Sequence, residues 1–456
     1  MFPFPTCRLR RPLSALALVC MTAASGILPY ALAAEDAPVT LSNDAVKGTE
    51  GAPEIPMPKN RSVVNALLVT DLPGQGAAGA AAKLSTLTLP IEATSSTEVK
   101  FNVRVGPQMN TALGEVVKCL QIRHKGWPRG HRIELAFEDK FVPKDGPSAA
   151  VACALLLDSM FGNWEIDPTV AFTGDLNADG SVQPIGGVGG KIRGATKAGC
   201  LRVAVPVKNS ADVGDVLLAE GPEPLARINV LSIDTLDSAI ALARKAPAGA
   251  AATAAAPVPV AAKGAAVPAA AAAVAPAVAG TPLQLFTEVR RVLLPNNKWN
   301  ANGLRDRNVV VRLKEILRQQ PNDLSARYLL AAATNTAPVR MTLRGSIETL
   351  DQIAFNVFQA IRSKNADQMT KIKSDQIGDA VFKLKRIRTR MDTRVVPTID
   401  VLADFGEVLR AIKNQPPRTQ AKSVEYYNKL MSAAQAADRQ YDALMKNRDV
   451  VEELMK

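Results

Sequence analysis

Two stretches of this chain hold side chains that could do chemistry together. Pro143-Lys144-Asp145-Gly146-Pro147-Ser148-Ala149-Ala150 puts a hydroxyl at the head of an apolar run, and Pro184-Ile185-Gly186-Gly187-Val188-Gly189-Gly190-Lys191 ends a glycine-rich turn in an amine. A serine oxygen becomes a nucleophile only when a base takes its proton. The chain has two histidines, His124 and His131, flanking the Trp127-Pro128-Arg129-Gly130 turn, so a histidine-based triad is poorly supplied. A neutral lysine can serve instead if burial lowers its pKa from about 10.4 towards about 7 to 8, a change worth about 4 kcal/mol. Lys191 has apolar or small neighbours, including Ile185 and Val188, that suit such desolvation. A Walker-type phosphate loop is excluded by spacing, because Ile185 stands where its first glycine belongs and Ile192 where it needs Ser or Thr.

The elements that must position these groups follow from local sequence. Asp145 reads as a helix N-cap, and Gly146-Pro147 suits a tight start for the apolar helix Ala149 to Leu157. Ser148 then falls in a first helical turn, where unpaired N–H groups and the helix dipole favour a developing oxyanion. Lys191 opens a second predicted helix, through Ala198.

Taken together, Pro-Lys-Asp-Gly-Pro-Ser-Ala, Thr173-Gly174-Asp175, Gly180-Ser181-Val182-Gln183-Pro184-Ile185-Gly186-Gly187 and Lys191 resemble the proteolytic domain of the Lon family, over residues 97 to 245. The resemblance implies a fold of the ribosomal-protein S5 type and a Ser/Lys dyad, with Ser148 as nucleophile and Lys191, 43 residues later, as general base. It also implies that Thr173 orients the lysine, that the substrates are proteins or peptides, and that the assembly is hexameric. The sequence departs from the family at Asp175, where a glutamate is usual. It departs again along Arg132-Ile133-Glu134-Leu135-Ala136-Phe137, where a His-x-His strand is common, and at Val188-Gly189-Gly190 before the lysine. Set against the resemblance, these departures leave the dyad in place and imply a different activation loop and different subsite walls.

Around the motifs, β-like runs at Ser62 to Thr70 and Leu84 to Ile91, joined by a Gly/Ala-rich turn, precede the alternating strand Glu98 to Val105 and a helix from Met109 to His124. Further strands at 133–137, 169–173, 181–185, 201–205 and 228–231 alternate with helices at 147–160, 191–198, 210–219 and 235–244, a mixed α/β layer. Asp175 to Gly180 faintly echoes a calcium loop but lacks its downstream glutamate, so a hairpin with an Asp-Gly turn is expected and no metal or other cofactor.

The expected organisation is a signal peptide at 1–34, a flexible segment at 35–60, a Lon-like peptidase domain at 61–245, an Ala/Pro-rich linker at 246–280 and a basic all-α domain at 281–456. Arg8 to Arg11, the apolar stretch to Leu28 and Ala31-Leu32-Ala33 carry the export expectation, hence a periplasmic or secreted protein cut near Ala33/Ala34. Export leaves Cys119, Cys153 and Cys200, all in apolar contexts, read as buried thiols with one disulfide left open. From Thr281 onward there are 30 Lys and Arg against 19 Asp and Glu, nearly all of the net charge of +12. There, 309–319 and 324–333 form one helix–turn–helix of the tetratricopeptide type, and 347–363, 370–391, 398–413 and 422–456 read as long helices. The run Lys383 to Arg390 suits either a solvated face or a protein or anionic envelope partner, and export argues against nucleic acid. Without a Walker motif, an ATP-independent peptidase is expected; the rival reading is a non-catalytic Lon-like scaffold whose helical part binds the partner.

Overall fold

The computed structural model describes residues 39–40, 63–72, 76–93, 95–126, 129–138, 144–245, 279–363 and 372–455. The signal peptide, most of the 35–60 segment and nearly all of the 246–280 linker lie outside them. Among the described residues there are ten strands: β1 Val39–Thr40, β2 Val63–Leu72, β3 Gly76–Pro90, β4 Glu98–Phe101, β5 His131–Phe137, β6 Val170–Phe172, β7 Asp175–Leu176, β8 Val182–Gln183, β9 Arg202–Pro206 and β10 Asn229–Ile233. Eight form one sheet in the order β1-β4-β5-β3-β2-β6-β9-β10, and β7 pairs with β8 as the expected hairpin. The β4/β5, β2/β6, β6/β9 and β9/β10 pairs are parallel, whereas β1/β4 and β3/β5 are antiparallel. This is the mixed α/β layer expected from the sequence.

Two expectations at its edge are corrected. Val39 and Thr40 pair with Val99 and Glu98, so the sheet begins inside the stretch read as flexible. The Gly/Ala-rich run is not a turn but the first half of β3.

The helices of this part are α1 Pro107–His124, α2 Ala150–Phe161, α3 Val188–Lys197, α4 Ser210–Glu220, α5 Glu223–Arg227 and α6 Leu236–Ala243. One core joins α1, α2 and α6 to the sheet through Leu113, Val117, Leu155, Leu156, Phe172 and Ile240. A second lies around α3 and holds Leu67, Ile185, Val188, Ile192, Val216, Leu225 and Val230. Ser148 belongs to the first side and Lys191 to the second.

The domain boundary expected at 281 is also corrected. Helices α7 Pro282–Leu293, α8 Arg307–Gln319 and α9 Leu324–Ala333 lie in the compact unit that runs from 79 to 339, not with the helices that follow. The reason is burial: Phe286, Val289, Leu313, Ile316 and Leu329 on these helices complete the core around α3 and β10. The helix–turn–helix is therefore a cap on the sheet.

The other unit takes in Arg340 to Lys456 and contains α10 Leu343–Ser363, α11 Ser374–Ile387, α12 Val396–Asn414, α13 Gln420–Lys446 and α14 Arg448–Met455. A single last helix was expected; Asn447 divides it, with non-helical angles of φ −64° and ψ 121°. Among the described residues no helix is long and apolar enough to cross a membrane.

Candidate active site

Ser148 sits in a one-turn 3-10 helix, Pro147–Ala149, that runs directly into α2. The turn is pinned to the end of β6. The Ser148 carbonyl accepts from Gly174 N–H at 2.9 Å and from the Thr173 hydroxyl at 3.1 Å, and Val151 N–H donates back to Gly174 O at 3.1 Å. Thr173 is fully buried, so this hydroxyl bond forms away from water. The hydroxyl that the resemblance assigns to the lysine is thus engaged with the serine's own carbonyl. Ala150 N–H donates to Pro147 O, so two of the first-turn donors expected to be unpaired are already in use.

Asp145 does not cap the serine's helix. Its carboxylate accepts from Met109 N–H at 3.2 Å and from Gly146 N–H at 2.7 Å, and so caps α1 from a distant loop. The residue before α1 has to be small, since a Cβ on Gly106 would lie 2.0 Å from the Asp145 carboxyl carbon. Gly106 N–H in turn donates to Lys144 O at 2.8 Å. Lys144, which sequence reasoning passed over, is 2% exposed with its amine 5.0 Å from the Phe137 ring centre. The loop before Ser148 is therefore anchored on α1 and β5, and its residues are spaced too far from their partners for a local pattern to show it.

Lys191 lies in the first turn of α3 and is 3% exposed. Its amine donates to Gly186 O at 3.0 Å, and its N–H to Gly187 O at 3.0 Å. Glycines let β3 press on this helix: a Cβ on Gly79 would fall 1.8 Å from Gly190 O and 2.6 Å from Lys191 N. Gly190 before the lysine thus meets a strand backbone, as does Gly194, where a Cβ would fall 2.5 Å from Gly79 C, whereas a Cβ on Gly189 would instead meet the Val216 side chain. Asn209, absent from the sequence reading, holds Ile185 of the same turn by two hydrogen bonds.

Both histidines have partners away from Ser148. His124 Nε2 lies 2.9 Å from an Asp158 oxygen that Arg123 Nε also reaches, at the far end of α2, about ten residues or about 15 Å of helix from the serine. His131 Nδ1 is engaged with Arg129 O. Burial of the Asp158 carboxyl is outweighed by His124, Arg123 and Trp164 together, which hold it below the usual carboxylate range.

Asp175 is raised above that range, chiefly by burial, with Glu115 adding to the effect. Among the described residues no cluster of three His, Cys, Asp or Glu is placed to hold a metal ion. Cys119, Cys153 and Cys200 are free and buried, and burial pushes the Cys153 thiol up to about 12. In the basic run of the other unit, Lys383 pairs with Asp379, Lys385 with Glu407 and Arg388 with Asp400. Much of that charge is met internally.

Comparison with known proteins converges on the same segment. Residues 115–243 match the Lon protease (S16) C-terminal proteolytic domain. They carry a Lon-family proteolytic domain. The chain is 37% identical to Lon protease 1 of Sorangium cellulosum over 100 residues, 22% of this chain and 12% of that protein. It is 35% identical to the Lon protease of Chloroflexus aurantiacus over 118 residues, 26% of this chain and 14% of that one. With the Lon protease of Trichlorobacter lovleyi, identity is 30% over 199 residues, 41% of this chain and 22% of that one. The chain thus spans less than a quarter of the length of these relatives. Ser148, Thr173, Lys191 and Asn209 all lie inside the Lon-type match.

Proposed function

We propose that this chain is an exported, ATP-independent Lon-like serine endopeptidase acting on unstructured protein segments. The observation that carries the reading is a lysine, 3% exposed, inside a Lon-type match that also supplies a serine turn fixed by Thr173 and Gly174. Desolvation disfavours an ammonium, and a neutral amine is the form that accepts a proton. In the proposed sequence, Ser148 Oγ attacks the peptide carbonyl carbon while its proton passes to Lys191 Nζ. The oxyanion is held by backbone N–H groups beside Ser148. As the C–N bond breaks, the lysine returns the proton to the leaving amine, and water, deprotonated by the same lysine, then hydrolyses the acyl ester.

Residues 1–34 support export, and the lack of a Walker motif in this sequence supports action without nucleotide. Without an unfolding motor, loose segments are the accessible substrates. The test is incubation of the purified protein, without nucleotide, with an unfolded protein substrate, beside Ser148→Ala and Lys191→Met. Cleavage by the parent and by neither variant is expected; cleavage that persists in both, or an inert parent, overturns the reading.

A further inference from the structure

The side chain that holds the lysine's turn belongs to neither motif. Asn209 lies between β9 and α4 and is 1% exposed. Its Oδ1 accepts from Ile185 N–H at 3.0 Å and its Nδ2 donates to Ile185 C=O at 2.8 Å, across 24 residues. Nδ2 also donates to an Asp212 carboxylate oxygen. That third bond fixes the amide's orientation, because exchanging N and O would set oxygen against two acceptors and nitrogen against a donor. An asparagine immediately before a helix usually caps it. This one makes no capping bond to α4 and gives its amide to Ile185 instead. β8 ends at Gln183, so without Asn209 the Ile185 N–H and C=O would be buried with this pairing lost.

The next two residues are the ones that hold the lysine: Gly186 O takes its amine and Gly187 O takes its N–H. Fixing Ile185 therefore fixes the frame for both ends of Lys191. We propose that Asn209 is a positioning residue for the general base, keeping Lys191 dry and aimed by clamping the turn that anchors it. The proposal rests on the serine–lysine reading, but its test does not depend on turnover alone.

The full chain is compared with Asn209→Ala, with the milder Asp212→Ala, and with Asn102→Ala. The last removes another buried-backbone contact, the Phe137 N–H bond at 3.2 Å on the β4/β5 side. Two quantities are read on each folded protein: native-state reductive methylation of Lys191, followed by mass spectrometry, and the pH profile of kcat/KM for an unfolded substrate. For Asn209→Ala we expect Lys191 methylation to rise about fivefold or more, and kcat to fall about 10- to 100-fold with KM within about twofold. The acid limb of the profile moves to higher pH, since water reaching the amine favours the ammonium. Asp212→Ala moves both readouts the same way by less, and decides the matter if Asn209→Ala does not fold. Asn102→Ala leaves the limb and the methylation where they are in the parent. Parental methylation and an unmoved limb in a folded Asn209→Ala, or in a folded Asp212→Ala where Asn209→Ala does not fold, overturn the proposal. An inert parent sinks the serine–lysine reading, while the methylation comparison still decides whether Asn209 holds Lys191.

Discussion

Thr173 and Asp145 show how differently two polar side chains can serve one serine. The Thr173 hydroxyl donates to the Ser148 carbonyl from a fully buried position, with Gly174 N–H sharing the same acceptor. Thr173→Val keeps the shape and removes one bond, so the fold should survive at a cost of about 1 kcal/mol in urea unfolding. The proposed peptidase activity should fall more than the folded fraction does, and Thr173→Ser, which keeps the hydroxyl, should retain most of it; equal loss in both variants would show that keeping the hydroxyl is not enough and that this bond is not what activity depends on. Ser148, Thr173 and Lys191 were singled out because their neighbours in sequence carry the pattern, although the Thr173 hydroxyl, expected at the lysine, bonds the Ser148 carbonyl. Asp145 was misread because a capping residue looks the same whether it serves its own helix or another, and the N–H it meets belongs to Met109. Asn209 was invisible for the same reason: its partner lies 24 residues away.

At the scale of elements, the cap formed by α8 and α9 meets β10 through a buried polar seam. Ser232 N–H donates to Asn322 O, and Ser325 Oγ accepts from Val230 N–H and donates to Ile228 O. At its centre Asp323, fully buried, caps α9 through Ala326 N–H at 2.8 Å. Burial pushes its carboxyl up to about 7, although the Ala326 N–H, Asn229 and the nearby Arg327 pull the other way. Among the described residues, Asp323 Oδ2 and Asn229 Oδ1 have no hydrogen-bond partner, a setting that favours the protonated acid. The native state thus keeps this proton from about pH 4 to about pH 7, where the unfolded chain has lost it, so stability falls as pH rises through that window. The loss is on the order of 4 kcal/mol at most. Asp323→Asn keeps an N-cap and cannot ionise, so urea unfolding at pH 5 and pH 8 should differ less in this variant than in the parent. An unchanged pH dependence would place the titration elsewhere. The β3/α3 contact is stricter: Gly79→Ala puts a methyl group into the Gly190 carbonyl, and should cost about 1 to 3 kcal/mol or more, seen as a lowered Tm.

Across the whole molecule, the sequence reading placed the strands and helices of 98–243 well because apolar alternation and glycine turns are local signals. It divided the chain at 281 because composition changes sharply at the Ala/Pro-rich stretch. A composition break records where a connection is polar, small or proline-rich, not which core the next helix joins. Leu285, Phe286, Val289 and Leu293 of α7 have apolar spacing typical of any amphipathic helix. Their destination, beside Val213, Leu225 and Ile192, is set by shape that no single window contains. The two divisions of the chain predict different truncations. If 61–245 were self-sufficient, a chain ending at Lys245 would fold and retain the proposed peptidase activity. The shared core predicts otherwise: removing α7 to α9 uncovers the apolar faces of α4, α5 and β10, including those around the lysine helix. A chain ending at Lys245 should therefore aggregate or melt far below the parent and lose cleavage of an unfolded substrate, whereas one ending at Val339 should unfold cooperatively. Cooperative unfolding of the shorter chain, with a Tm equal to that of the longer one, would return the boundary to the linker and make α7 to α9 an appendage.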